Sequence, residues 1–115
     1  MATVFVISSD WMLRSGLRAE LREQGIETLG FATVGDAAQA VDAEHRPSMI
    51  VVEASEYPLA ARWRARLHGH TPILVVASAL EPTPKLENAD QLLTRPVRIG
   101  DVAAKIQSLL KGIPA

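Results

Sequence analysis

Ser48-Met49-Ile50-Val51-Val52-Glu53 is the stretch on which the fold turns. Its apolar residues are consecutive, mostly β-branched, follow Pro47 and end on an acid. A strand with one wet face alternates polar and apolar residues. An unbroken apolar run marks a strand covered on both faces, as in a parallel sheet. Upstream, Thr3 to Ile7 repeats the signature and ends at Ser8-Ser9-Asp10, residues that favour turns and helix caps. Ile26 to Thr33 reads as a second strand, Pro72 to Ala77 as a fourth, and Leu92-Leu93-Thr94 as a short fifth.

Helical patterns fill the gaps between these runs. Leu13, Leu17 and Leu21 recur every fourth residue among charged neighbours, and Gly25 is the expected stop. Gly35-Asp36 opens a short alanine-rich helix expected to end near His45. Leu59, Trp63 and Leu67 mark a third helix, closing around Gly69. Val102, Ile106, Leu109 and Leu110 line the last one. The exception is Leu80 to Ala89. Pro82 and Pro84 there remove backbone donors, so a loop or single turn is expected where a further helix would otherwise sit. Alternating strands and helices predict an α/β fold with a parallel sheet and helices on both faces. The alternation predicts one such domain over residues 1–115, with the helix between the fourth and fifth strands short or missing. Residues 112–115 are a place where a linker to an output domain can begin.

Composition narrows the function. The chain has 115 residues, 48% hydrophobic, enough to build one sizeable core. A formal net charge of -1 argues against nucleic-acid binding, and 4% aromatics are too few for a base-stacking platform. The absence of cysteine removes disulfides, thiolate catalysis and cysteine metal sites. No apolar run is long enough to cross a bilayer and no signal peptide is evident, so a cytoplasmic protein with no membrane partner is expected.

In such sheets ligands bind at the C-terminal strand ends. The residues that fall there are Ser8, Ser9, Asp10, Glu53, Ala77, Ser78 and Arg95. No glycine follows the first strand until Gly16, which argues against dinucleotide, P-loop and flavin sites. His45, His68 and His70 are expected at the opposite edge of the sheet from Ser8 and Ser9, which disfavours a hydrolytic triad. His68 and His70 flanking Gly69 read as a solvated loop before a weak metal site. Arg62, Arg64 and Arg66 around Trp63 read as the solvent side of a helix whose tryptophan packs inward, before a basic-aromatic contact patch. Asp10 reads as a helix cap before a metal ligand.

The whole chain resembles the receiver domains of bacterial two-component response regulators (CheY-like). Val4-Phe5-Val6-Ile7-Ser8-Ser9-Asp10 is similar to the family's first strand, and Met49-Ile50-Val51-Val52-Glu53 to its third. Pro72 to Ser78 is similar to the fourth, and Ala89-Asp90-Gln91-Leu92-Leu93-Thr94-Arg95-Pro96, the closest match, to the fifth. The resemblance implies a single doubly wound (βα)5 flavodoxin-like domain, with a five-stranded parallel sheet of order 2-1-3-4-5 and its fourth helix short or missing here, and signalling by phosphorylation of an aspartate held with Mg²⁺ in a carboxylate cluster. It also shows where this chain departs. The acidic pair falls on Ser8 and Ser9, and the phospho-acceptor on Glu53. The switch hydroxyl falls on Ala77, unless Ser78 takes its place. The switch aromatic falls on Leu92 and the lysine on Arg95. Pro96 alone is retained.

Two hydroxyls in place of two carboxylates leave too little negative oxygen for Mg²⁺, so no metal or other cofactor is expected. Glu53 is one methylene longer than aspartate, and misplacement of that order costs a nucleophile roughly a hundredfold in rate. The expectation is therefore a phosphorylation-independent pseudo-receiver, not an enzyme, acting through a protein partner. Glu53 would pair with Arg95 or else stand at the strand end without a set partner. Val97, Ile99 and the outer side of Asp101 to Lys111 are the candidate contact face, possible also for a homodimer through strand five and the last helix. The alternatives are a phospho-accepting receiver using Ser8, Ser9 or Glu53, and a flavodoxin-like ligand-binding domain or enzyme.

Overall fold

The computed structural model describes residues 2–67, 70–87 and 89–112. Five parallel strands form one sheet: β1 (Thr3–Ile7), β2 (Glu27–Phe31), β3 (Met49–Glu53), β4 (Ile73–Ala77) and β5 (Gln91–Thr94). Their order is β2-β1-β3-β4-β5, as the resemblance to receiver domains implies. Pairing is in register along the sheet, with Val6 opposite Val51 and Val51 opposite Leu74. The three central strands are buried on both faces, which explains their unbroken apolar runs.

Four helices cover the sheet: α1 (Trp11–Glu23), α2 (Val34–Ala40), α3 (Tyr57–Arg64) and α4 (Ile99–Lys111), with a 3-10 turn at Ala54–Glu56. On one face Val4, Val6, Met49, Val51, Leu74 and Val76 pack against Leu13, Leu17 and Leu21 of α1 and Val102, Ala103 and Ile106 of α4. On the other, Phe5, Ile7, Ile50, Val52, Ile73 and Val75 meet α2 and α3. Trp63 stacks on Phe5 there, with ring centroids 6.2 Å apart. The expected stop of α1 is present: Gly25 has φ +79°, a left-handed conformation that glycine adopts without a Cβ clash.

Three local expectations are corrected. α2 ends at Ala40, well short of His45; Asp42 instead accepts hydrogen bonds from the Glu44 and His45 N–H groups and makes a turn of residues 42–45. α3 ends at Arg64, so Leu67 lies beyond it and Leu59 is exposed; its inner face is Tyr57, Ala60, Ala61, Trp63 and Arg64. Arg64 is thus buried, not on the solvent side. Gly69, the expected end of that helix, lies outside the described residues, as does His68. Among the described residues between β4 and β5 there is no helix, in line with the two prolines.

Candidate functional site

The C-terminal ends of β1, β3 and β5 bring Ser8, Asp10, Glu53 and Arg95 together. Ser8 follows β1 directly and is 1% exposed. Its hydroxyl donates to Glu53 Oε1 at 2.6 Å and accepts from the Asp10 N–H at 3.0 Å, so both hydroxyl roles are filled. Arg14, one turn into α1, donates from Nη1 to the Ser8 carbonyl at 2.5 Å. Asp10 caps α1: Oδ1 accepts from the Met12 and Leu13 N–H groups at 3.0 and 3.4 Å.

Arg95 closes the site from the far side. Its Nη2 donates to Glu53 Oε1 at 2.8 Å, and its Nη1 lies 3.5 Å from Asp10 Oδ2. One guanidinium therefore lies against both carboxylates, and Glu53 Oε1 receives a serine hydroxyl and an arginine at once. The pairing of Glu53 with Arg95 is present, and the unpartnered alternative is not. Arg95 enters from a backbone fixed by its own N–H to the Ala77 carbonyl, 2.7 Å, and the Arg95–Pro96 peptide is cis.

The other residues singled out from the sequence stand apart. Ser9 is exposed. Ala77 is buried at the end of β4 and carries no hydroxyl. The Ser78 hydroxyl accepts from the Leu80 N–H at 3.1 Å, and the Ser78 N–H donates to Glu81, so Ser78 shapes the loop after β4. Leu92 packs half-buried against the α2–α3 side of the core. Two carboxylates converge, one of them committed to a helix cap, with a guanidinium against both, whereas Mg²⁺ takes near-octahedral oxygen ligation. Among the described residues no group of three or more His, Asp or Glu side chains could hold a metal ion.

A second polar cluster, which the sequence reading missed, lies at the other end of the sheet. The Asp90 side chain, 1% exposed, accepts from Arg64 Nη1 at 2.5 Å, the Ile73 N–H at 3.1 Å and the Tyr57 hydroxyl at 2.7 Å. Tyr57 in turn accepts from the Glu87 N–H at 2.7 Å. Burial pushes the Tyr57 phenol above its ordinary pKa of 10.0, aided by the Asp90 carboxylate and opposed by the Glu87 N–H. Burial also disfavours the Arg64 charge, but the Asp90 hydrogen bond and charge outweigh it and raise the guanidinium pKa. These groups tie Glu87 and Asp90, ahead of β5, to α3 and β4. The available signal was the spacing Tyr57, Ala60, Ala61, Arg64, one helical face that includes the arginine.

The parallel sheet of order β2-β1-β3-β4-β5 with helices on both faces is the flavodoxin-like fold of receiver domains, here without a helix among the described residues between β4 and β5. Among solved structures, the chain is similar to a CheY-like response regulator receiver domain protein from Methanospirillum hungatei, with TM-score 0.77 and 17% identity over 97% of this chain and 95% of that one. A two-component response regulator from Clostridium difficile gives TM-score 0.76 at 15% identity, with both chains fully covered. A Francisella response regulator receiver domain gives 0.75 at 16%, covering 97% and 98%. No protein-family profile and no curated protein sequence matches the chain. At these identities the likeness speaks for the fold, and function rests on the site.

Proposed function

We propose that this protein is a pseudo-receiver: a protein-interaction module of two-component-type signalling that works without phosphorylation, without Mg²⁺ and without enzymatic activity. The observation that carries the reading is the double engagement of Glu53 Oε1 by Ser8 and Arg95. Phosphoryl transfer to a carboxylate needs cationic help aimed at the phosphoryl oxygens. Here the cation is spent on the carboxylates themselves. The compensating charge belongs to the chain itself and not to a ligand that comes and goes. The site stands in one state, and Ala77 and Leu92 lack the hydroxyl and aromatic ring through which a receiver relays a change.

A permanent state suits a surface that binds constitutively. Val97 and Ile99 lie with Met12, Leu13 and Pro96 along an apolar groove of about 450 Å³ beside Arg95, at the start of α4. The exposed Trp11 and Met12 lie at the head of α1. We assign the protein partner, or a second copy through β5 and α4, to this end of the molecule. A cytoplasmic setting fits the reading; no helix among the described residues is long and apolar enough to cross a membrane.

Incubation with acetyl phosphate and Mg²⁺, followed by intact mass measurement, tests the central point. The expected result is an unmodified mass. A phosphoryl adduct that disappears in Glu53→Gln, Ser8→Ala or Ser9→Ala would sink the reading and restore a phospho-accepting receiver.

A further inference from the structure

β2 is an edge strand, paired among the described residues with β1 alone. The Ser8 N–H donates to the Phe31 carbonyl at 2.9 Å, so Phe31 turns its backbone groups inward. In a parallel ladder successive residues point to alternate sides, so Thr28 and Gly30 turn their N–H and C=O groups outward, where no strand meets them. Above this edge Arg14, Arg18 and Arg22 recur every fourth residue of α1. The stems of Arg14 and Arg18 cross the strand: a Cβ on Gly30 would lie 3.3 Å from Arg18 Cδ and 3.5 Å from Arg14 Cδ, and Arg22 lines a cleft with Arg18, Thr28 and Leu29. Among the described residues none of the three pairs with a carboxylate. The acid on the strand, Glu27, bonds to Thr3 and shares the opposite sheet face with Leu29 and Phe31. Along the edge the early end of α2 leaves a groove of about 340 Å³, lined by Leu29, Phe31, Ala40 and His45 and, from the arginine side, by Gly30 and Arg18.

We propose that this edge receives an extended partner segment with alternating acidic and apolar residues, which adds as a sixth strand. Its backbone pairs with Thr28 and Gly30, its acids face Arg18 and Arg22, and its apolar residues enter the groove beside Leu29 and Phe31. The spacings agree: four helix residues advance about 6 Å, and two strand residues about 6.6 Å. Added strands gain affinity from the main chain and specificity from alternate side chains. The surface is separate from Glu53 and does not depend on how that residue behaves.

A fluorescein-labelled peptide alternating glutamate and valine, titrated with the full chain at low ionic strength, tests the proposal by anisotropy. Saturable binding is expected, weakened at least about tenfold in R18E/R22E, where two rim contacts become repulsive. Both arginines are exposed, and circular dichroism checks that the variant is folded. Two further peptides carry backbone N-methyl groups, one at the glutamates and one at the valines; both keep every charge. One of the two should lose at least about tenfold, since only one set of N–H groups can face β2. Equal binding of all three peptides overturns strand addition. Undiminished binding by R18E/R22E overturns the arginine contact, and no saturation at millimolar peptide overturns the whole.

Discussion

Asp90→Ala is the substitution for which the structure makes the sharpest demand. The wild-type carboxylate is buried and satisfies Arg64, Tyr57 and the Ile73 N–H together. Truncation leaves Arg64, itself only 7% exposed, as a buried cation without its counter-charge. Breaking a buried pair from one side costs about 3–5 kcal/mol. A chain of 115 residues has roughly 6–17 kcal/mol of total stability at about 0.05–0.15 kcal/mol per residue. The loss is therefore a large share of the whole. With an unfolding entropy of about 0.24 kcal/mol/K for this length, it lowers Tm by roughly 12–20 °C. Urea unfolding followed by tryptophan fluorescence reads the change, because Trp63 is buried against Phe5. Asp90→Asn keeps an oxygen for Arg64 and should cost less, about 1–3 kcal/mol. Adding Arg64→Met to Asp90→Ala should recover part of the loss, because the stranded charge is gone. If Asp90→Ala lies within about 1 kcal/mol of wild type, the cluster does not hold the fold and the reasoning fails.

Three other outcomes are expected. Tyr57 is the single tyrosine of the chain, so tyrosinate absorbance reports on it alone. Its midpoint should lie above 10.0 in the native state and return to the ordinary value in urea. A raised pKa stabilises the fold below the unfolded value and is lost as pH rises through the folded one, so Tyr57→Phe should blunt the loss of stability above about pH 10. Asp10→Ala should cost about 1 kcal/mol in urea unfolding through loss of the α1 cap, and Asp10→Ser should restore most of it. Arg95→Ala uncovers Glu53 and Asp10 at a partly exposed site, so stability should change by less than about 1 kcal/mol. Magnesium affinity by calorimetry should rise in that variant; an unchanged affinity would show that the guanidinium is not what keeps cations out.

The central sheet was legible because β1, β3 and β4 bury both faces, which forces uninterrupted apolar sequence that no solvent-facing strand would tolerate. α1 was legible for the complementary reason: its leucines meet one face and its charges meet water. α3 was misread because Leu59, Trp63 and Leu67 form a plausible stripe, yet the helix stops before Leu67 and buries its alanines instead. Small residues carry little weight in a hydrophobicity pattern, but they let a helix lie close to a sheet. At the site, Ser8, Glu53 and Arg95 could be placed together because strand ends converge wherever the strands are parallel. Asp90 could not: its partners Tyr57 and Arg64 are far away in sequence, and nothing local distinguishes a buried aspartate from a turn residue.

The sheet is clad unequally. On one side lie two helices of 13 residues each, α1 and α4. On the other lie helices of 7 and 8 residues, α2 and α3. Local opening is easiest where the least apolar surface must be exposed. Amide hydrogen exchange should therefore run ahead on the thinly clad side, with α2 trading its protons before α1. The molecule breathes through that flank while the thickly clad one stays shut.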